Sequence, residues 1–268
     1  MQTAALGGFL KTLETFKITK IKGSSREIVD DSVAEEVPFT VVVDGEELVT
    51  LLCSPSELED LAVGFLFTAG LIKRAGDLKG IIINPEQWTV YVELINADIL
   101  KNLVFKRLYT SGCGRGTLFY NTADIINRAK ISSNFKIEEM DIKQLMTDFQ
   151  KKSEGYFKTG GTHSAALADK RDILIFKEDI GRHNAIDKVI GCALRQEVDF
   201  ANKILISSGR ISSEVLLKAR KCPVAVVISQ SAPTNQAVRL AREMEMTLVG
   251  FARGERMNIY SSAERVVL

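Results

Sequence analysis

Residues 204–229 read ILISSGRISSEVLLKARKCPVAVVIS, and their pattern decides the fold class. Residues 204–207 form a short apolar run that predicts a strand, and residues 212–221 have the apolar spacing that favours a helix. A second apolar run at residues 224–229 predicts the next strand. A strand, a helix and a strand in such close succession are typical of a layered α/β sheet whose strands are largely parallel.

The same alternation extends through the second half of the chain on both sides of this stretch. The pattern predicts further strands at residues 173–176 and 247–251, and further helices at residues 184–196 and 234–245. We therefore expect one α/β unit that fills most of the second half.

The first half is richer in strands, and its signals are local. Asp44-Gly45 lies between two apolar runs and predicts a two-residue hairpin turn. Residues 54–57 have the spacing of a capping box and predict a helix that runs toward Gly70. Residues 1–35 are polar and predict an arm or an early edge strand. Further strands are predicted at residues 80–84, 88–94 and 103–109.

Between these halves, residues 141–151 have an amphipathic helical pattern, and we expect this helix to bridge them. The chain is therefore predicted to contain a strand-rich, mixed N-terminal domain at residues 1–135 and an α/β domain at residues 136–268, an α+β protein overall.

Composition and charge exclude several classes of protein. The chain has 46% hydrophobic and 26% charged residues among its 268, as ordinary globular proteins do. Its net charge of +1 predicts neither nucleic acid nor an anionic membrane as a partner. Neither a secretory signal nor a long apolar segment is evident, so we expect a cytoplasmic protein with reduced thiols.

Cys113 is the strongest candidate for a reactive group. It lies in the glycine-rich stretch TSGCGRGT at residues 110–117, where glycines favour access and backbone freedom. Nearby cations lower the pKa of a thiol and so favour the nucleophilic thiolate, and Lys106, Arg107 and Arg115 are close in sequence. The alternative is a buried turn cysteine among packing glycines.

The other cysteines are predicted to be structural. Each lies in an apolar strand or helix or at the entrance to one, where cysteine serves as a small hydrophobic residue. They are Cys53, Cys192 and Cys222. The four cysteines have no paired spacing, which disfavours a disulfide framework and a metal site.

The only two histidines, His163 and His183, lie among glycine and polar residues. Either could serve as an acid or base near neutral pH or donate a hydrogen bond to a phosphate, and either could merely hydrogen-bond within a turn. The acidic side chains of Glu178, Asp179 and Asp187 could orient a histidine ring or pair with Arg182 and Lys188. The sequence leaves these alternatives open.

Polar clusters follow the predicted strands of the second half at residues 207–210, 229–234 and 252–256. Ligands of open α/β sheets gather at the carboxyl ends of the strands, where loop N–H groups and helix N-termini favour anions. Arg210, Arg253 and Arg256 could bind phosphates there. The alternative is a set of ordinary solvated loops. Neither a dinucleotide fingerprint nor a phosphate loop is present, and the spacing of a zinc deaminase site is missing.

These blocks together resemble the formate dehydrogenase accessory protein family, FdhD, over most of the chain. The likeness lies in the Cys113 loop and in a series of further motifs. They are EVP at residues 36–38, the helix at 54–70, TGGTH at 159–163, EDIGRHNAIDK at 178–188, SGRISSE at 208–214, SQSAPT at 229–234 and LVGFARG at 248–254.

The resemblance implies a sulfur carrier with sulfurtransferase activity. Such a protein accepts sulfur from a cysteine desulfurase as a persulfide on the residue matching Cys113. It then delivers the sulfur to molybdenum bis(molybdopterin guanine dinucleotide) for formate dehydrogenase. The matching cofactor-binding stretch is Phe251, Ala252, Arg253, Gly254, Glu255 and Arg256, and we expect Arg210, His163 and His183 to contribute to cofactor binding. The resemblance also implies a second domain similar to the cytidine deaminase-like fold without zinc or another metal.

One position departs from the family pattern. Many relatives carry Cys-x-x-Cys in the loop, whereas Gly116 occupies the second cysteine position here. A two-thiol relay within the loop is therefore excluded, and Cys113 acts alone or with a distant thiol. Two other functions stay open: a non-catalytic chaperone for the cofactor, and a cysteine-dependent hydrolase that pairs Cys113 with His163 or His183. The sequence also leaves a homodimer open.

Overall fold

The computed structural model describes residues 12–96 and 130–268. The strand predicted at residues 103–109 and the Cys113 loop lie outside them. The described strands are β1 (Leu13–Lys22), β2 (Ser25–Ala34), β3 (Val37–Val43), β4 (Glu46–Cys53), β5 (Leu78–Asn84), β6 (Thr89–Leu94), β7 (Ile137–Glu138), β8 (His163–Ala168), β9 (Ile173–Asp179), β10 (Ile204–Ser207), β11 (Val226–Ser229), β12 (Thr247–Arg253), β13 (Arg256–Ser261) and β14 (Val266–Val267). The described α-helices are α1 (Leu58–Ala69), α2 (Glu139–Lys152), α3 (Glu154–Thr159), α4 (Arg182–Arg195), α5 (Ser213–Lys221) and α6 (Asn235–Glu243).

The described part of the predicted arm at residues 1–35 is a two-stranded antiparallel ribbon. Strands β1 and β2 pair along their whole length, from Leu13 opposite Ala34 to Lys22 opposite Ser25. Most of its side chains are exposed, which explains why the sequence lacks the strict apolar alternation of a strand with one buried face.

The N-terminal sheet has the strand order β4-β3-β6-β5. The hairpin predicted at Asp44-Gly45 is confirmed: both residues have positive φ, 49° and 87°, as a two-residue turn of this kind requires. Helix α1 follows and ends at Gly70, which adopts the left-handed conformation (φ 83°) of a C-terminal cap.

The predicted capping box before α1 is wrong. The residue that precedes the helix is Glu57, which has a left-handed backbone (φ 52°) and makes no side-chain cap. The Ser54 hydroxyl instead accepts a hydrogen bond from the Ile180 N–H group at 3.1 Å. A tertiary contact to the second half of the chain thus takes the hydroxyl that the local pattern assigns to the helix.

The large sheet has six strands in the order β13-β12-β11-β10-β8-β9. Only the pairs β10–β11 and β11–β12 are parallel, so the expectation of a largely parallel sheet is wrong for neighbouring strands. Because β8 is antiparallel to both β9 and β10, however, strands β9 to β12 all run in the same direction. Their carboxyl ends therefore meet at one edge of the sheet, and the predicted α/β class is confirmed.

Two apolar clusters form the described core. One contains residues between 37 and 94, and the other contains residues between 131 and 252. Helix α2 buries Ile142, Leu145, Met146 and Phe149 in the second cluster, so its predicted apolar face is confirmed. The sequence predicts that this helix bridges the halves. That prediction is wrong for these four side chains, because they all belong to the second cluster.

The halves meet instead where α1 crosses α4, and glycine makes this crossing close. A methyl group added at Gly64 would lie 1.8 Å from the Asp187 carbonyl oxygen, and one added at Gly191 would lie 1.9 Å from the Asp60 carbonyl oxygen. Both distances are far inside van der Waals contact. Only a residue without a side chain fits at either position.

Candidate functional site at the carboxyl edge

The carboxyl edge is the set of loops and helix starts that follow strands β9 to β12. It comprises residues 180–183, 208–214, 230–234 and 251–256, together with His163, where the antiparallel strand β8 begins. Helices α4, α5 and α6 all begin at this edge. The prediction that the polar clusters share one edge is confirmed, and the positive ends of three helix dipoles point at it.

Hydrogen bonds join the neighbouring loops of the edge. The Ile211 N–H group donates to the Ala232 carbonyl at 3.1 Å, and the Ser229 hydroxyl donates to the Gly209 carbonyl at 2.7 Å. Ser207 and Ser229 are buried beneath the loops, and the hydroxyl of each accepts a backbone N–H bond. The loops are therefore held in a fixed relative position rather than solvated independently.

The stretch from Phe251 to Arg256 has an unusual backbone. Phe251 has a φ of 54°, which is uncommon for a side chain of this size, at a register shift between β12 and β13. Such strained residues cluster at functional sites. The Phe251 N–H group donates to the Ser231 carbonyl at 3.1 Å, and this bond holds the strained residue against the neighbouring loop.

The side chains of this stretch present an aromatic ring and cations. The Arg256 guanidinium lies 5.1 Å from the centre of the Phe251 ring, within the range of a cation–π contact. Arg253 is exposed and uses Nε to donate to the Gln230 carbonyl at 3.0 Å. The exposed Glu255 carboxylate pairs with Lys143 at 2.6 Å. Ala252 is buried in the core, and Gly254 has a φ of 54°, a backbone conformation that favours glycine.

His163 belongs to a second group at the edge. Its Nδ1 atom lies 3.3 Å from the Ser208 hydroxyl, which accepts a hydrogen bond from the Ser164 N–H group at 2.9 Å. Arg182 packs over Gly209 so closely that a methyl group there would lie 2.9 Å from its Cβ atom and 3.4 Å from His163 Nδ1. Burial, and then the Arg182 charge, lower the pKa of His163 below its ordinary 6.5, so the ring is neutral near pH 7.

His183 lies more deeply, in the first turn of α4. Its Nε2 atom faces Glu214 Oε2 at 3.5 Å. Burial lowers the pKa of His183 to about 3, and Lys218 and Arg182 act in the same direction. Burial also raises the pKa of the Glu214 carboxyl, against the Lys218 charge. Proximity suggests an ion pair, but both shifts oppose one, and we conclude that the imidazole is neutral.

The other charged residues of the EDIGRHNAIDK motif are structural. Asp179 and Lys188 form a fully buried ion pair at 2.7 Å, and Asp187 pairs with Lys218 at 2.5 Å. Glu178 accepts hydrogen bonds from the N–H groups of residues 155 and 156. None of these three acids has a hydrogen bond to a histidine ring. Of the two roles that the sequence leaves open, orienting a histidine or pairing with a cation, Asp179 has the second, with Lys188 as its partner.

Asp179 and Lys188 also fasten the two halves of the chain together, because both hydrogen-bond to Ser54. The Asp179 carboxylate accepts a hydrogen bond from the Ser54 N–H group at 3.1 Å, and Lys188 donates to the Ser54 carbonyl at 3.3 Å. We call this region the seam: the α1–α4 crossing with Ser54, Thr68, Asp179, Asp187, Lys188 and Lys218. In the seam, Thr68 donates to Asp187 at 2.9 Å.

The structure places three residues at the edge whose importance sequence reasoning missed. Ser208 orients His163, Arg182 covers Gly209, and Glu214 faces His183. Glu214 had one local signal, an acid in the first turn of a predicted helix, but its histidine partner is distant in sequence. Arg210 is exposed at the same edge.

The cysteines within the described residues are buried thiols. Burial raises the pKa of Cys53 to about 12, and it also raises the pKa values of Cys192 and Cys222. A protonated thiol is a poor nucleophile. Their environment agrees with the predicted structural role.

Residues 12–96 and 130–268 lack the features of a metal centre and of a membrane-spanning helix. No group of three or more His, Cys, Asp or Glu side chains in that part of the chain could hold a metal ion. No helix there has both the length and the apolar character needed to cross a membrane.

Comparison with known proteins decides the family. The model of the FdhD/NarQ family matches residues 34–267, nearly the whole chain. The chain belongs to the FdhD/NarQ family. The matched residues include the seam and the carboxyl edge, and the resemblance seen in the sequence is confirmed.

Relatives and one crystal structure agree with this assignment. The sulfur carrier protein FdhD of Bacillus pumilus is 43% identical over 237 residues, covering 88% of this chain and 90% of that protein. The protein of the same name from Bacillus subtilis is 41% identical over 239 residues, covering 89% and 91%. The crystal structure of a protein from Desulfotalea psychrophila, assigned as a formate dehydrogenase accessory protein, superposes with a TM-score of 0.77 at 24% identity. It covers 96% of this FdhD/NarQ chain and 100% of the other, and it shows the same fold.

Proposed function

We propose that this FdhD/NarQ family member is a sulfur carrier that takes sulfur from a cysteine desulfurase as a Cys113 persulfide. It passes the sulfur to molybdenum bis(molybdopterin guanine dinucleotide), the cargo needed by formate dehydrogenase. The observation that carries the proposal is the family match together with relatives named sulfur carrier proteins at about 40% identity. Cys113 lies within the matched region.

The loading step is a thiol exchange. The Cys113 thiolate attacks the outer sulfur of the donor persulfide, a new S–S bond forms on Cys113, and the donor leaves as a thiolate. The exchange needs no external oxidant or reductant. The three described cysteines are buried thiols with raised pKa values, which supports Cys113 as the acceptor.

The carboxyl edge fits the nucleotide ends of the cargo. Arg210, Arg253 and Arg256 are exposed, and guanidinium groups bind phosphate bidentately. The Phe251 ring with its Arg256 cation is the kind of surface on which a nucleobase stacks. Three helix N-termini add positive potential at the same place.

Mass spectrometry tests the carrier function. After incubation with cysteine desulfurase and cysteine, we expect an adduct of one sulfur atom on Cys113 and none in Cys113→Ser. The matched control is Cys222→Ser, which removes a buried thiol and should keep the adduct. An unmodified Cys113 under conditions that load a known sulfur carrier would contradict the proposal.

The chaperone alternative has its own support, because the carboxyl edge needs no thiol to bind a nucleotide. If Cys113→Ala still activates formate dehydrogenase to the wild-type level, the chaperone function is correct. A hydrolase should instead turn over an ester or amide without a donor. The cytidine deaminase-like comparison, the cytoplasmic location and the homodimer stay predictions.

A further inference from the structure

Two buried polar atoms face each other at the carboxyl edge without a hydrogen bond. They are His183 Nε2, in the first turn of α4, and Glu214 Oε2, in the first turn of α5, and they lie 3.5 Å apart. The side chains are only 17% and 10% exposed. Leaving such atoms unpaired costs about 1–3 kcal/mol for each group.

A single proton placed between the two atoms would satisfy both. The carboxyl would donate to the neutral imidazole, and the negative charge of Glu214 would disappear. Because the pKa of Glu214 is raised and that of His183 is lowered to about 3, the carboxyl takes the proton first as pH falls. The pair is therefore poised to change charge by one unit with little movement.

The charged and titratable groups that act on the pair lie on α4, α5 and β8. Lys218 of α5, Arg182 of α4 and His163 of β8 contribute positive charge or can acquire it, and Asp187 of α4 is the neighbouring acid. Lys218 and Arg182 lower the pKa of the Glu214 carboxyl, whereas burial and the Asp187 charge raise it. A phosphate bound near Arg182 would offset its positive charge and so raise the pKa of Glu214.

A bound nucleotide also excludes water from the edge, and both effects raise the pKa of Glu214. Negative ligand charge favours the neutral carboxyl, and loss of water disfavours the carboxylate. For His163 the two effects oppose each other, because desolvation lowers the pKa of an imidazole. Of these two groups, Glu214 is therefore expected to respond more strongly to an anionic ligand.

We propose that the Glu214–His183 pair takes up a proton when a nucleotide phosphate binds at the carboxyl edge, so that the cargo binds more tightly as pH falls. Glu214 is a positioning residue here, because it acts through His183 and through the charge of the edge. The inference rests on the proposed cofactor-binding function.

Titration calorimetry of the full chain with GDP tests the inference. Measured in buffers of different ionisation enthalpy between about pH 5.5 and 8, the heats give the number of protons taken up. We expect net uptake in the wild type and an affinity that falls with rising pH, by at most about tenfold per pH unit for one full proton. Glu214→Gln, which keeps the shape and removes the titration, should lose most of the uptake.

Two further variants locate the proton. Glu197→Gln is the matched control, because Glu197 follows the other end of α4, roughly 20 Å from His183; it should keep the wild-type uptake. His163→Gln tests the competing titratable group and should also keep most of it. If Glu214→Gln does not fold, difference infrared spectra of the wild type should show a protonated carboxyl band appearing when GDP is added.

The outcomes separate the two proposals. GDP binding without proton uptake overturns the proton inference and leaves the binding site standing, and so does full uptake in Glu214→Gln. Loss of uptake in His163→Gln alone also overturns the inference, as does an absent carboxyl band. Failure of GDP to bind at any pH overturns both.

Discussion

The seam and the carboxyl edge handle charge in opposite ways. At the seam, Asp179 and Lys188 are completely buried and pair with each other at 2.7 Å. At the edge, Arg253 and Arg256 are exposed, and their cations face the solvent. The seam uses charge to fix which parts of the chain meet, whereas the edge keeps charge available for a ligand.

The motif EDIGRHNAIDK at residues 178–188 supplies side chains to both the seam and the carboxyl edge. Helix α4 places Arg182 and His183 at the edge in its first turn, and about one turn later it places Asp187 and Lys188 at the seam. A ligand bound against Arg182 would therefore contact a helix whose next turn holds the two halves together. Substitutions in adjacent turns should consequently separate into effects on stability and effects on binding.

The largest expected effect is at the seam, for Lys188→Met. The substitution leaves the buried Asp179 carboxylate without its counter-charge, although Asp179 keeps its hydrogen bonds from Ser54, Gly181 and Asn184. Loss of one partner from a buried pair costs about 3–5 kcal/mol. Urea denaturation should show a loss of this size in the free energy of unfolding.

Two controls test whether the lone charge is the cause. Adding Asp179→Asn to Lys188→Met removes the unpaired charge and should recover part of the lost stability. Lys17→Met breaks a pair on the exposed ribbon, where both side chains are more than half exposed, and should change the unfolding midpoint much less. Equal losses in Lys188→Met and Lys17→Met would contradict the role given to the seam.

The next effect is at the helix crossing, for Gly191→Ala. The new methyl group would lie 1.9 Å from the Asp60 carbonyl oxygen, so α1 must move away from α4. We expect a loss of about 1–3 kcal/mol in unfolding free energy, or more, since the obstacle is backbone. Gly80→Ala is the matched control, because nothing lies within 4 Å of its added methyl group. Thermal unfolding of both variants distinguishes them, and an unchanged Tm for Gly191→Ala would show that the crossing is looser than the structure indicates.

What the sequence predicted correctly rests on local signals. The Asp44-Gly45 turn and the end of α1 near Gly70 need only the backbone preferences of the residues themselves, and the apolar period of α2 needs only its own turn spacing. The carboxyl edge was predictable because polar clusters follow successive strands. The position of the carboxyl edge therefore follows from the sequence pattern alone, without any tertiary contact.

What the sequence missed depends on distant partners. Ser54 was assigned to a helix cap because its local spacing fits one, but Ile180 takes its hydroxyl. The sequence analysis does not predict strand β8, which starts at His163 directly after two glycines. Because β8 pairs antiparallel with β10, the sheet is mixed and not largely parallel. The Glu214–His183 contact joins two helix starts that only the folded sheet brings together.

The smallest effect on stability and the clearest effect on binding are expected at the edge, for Arg253→Ala. Its side chain is exposed and donates one hydrogen bond to the Gln230 carbonyl, so the free energy of unfolding should change by less than about 0.5 kcal/mol. Loss of a phosphate-binding guanidinium should weaken GDP binding about tenfold in titration calorimetry, or about 1.4 kcal/mol.

Arg171→Ala is the matched control. It removes an exposed arginine from the β8–β9 turn, at the opposite edge of the sheet, and should leave GDP affinity unchanged. Equal affinities for the two variants would remove Arg253 from the binding site, and a large loss of stability in Arg253→Ala would mean that the edge, like the seam, uses its charges to hold the fold.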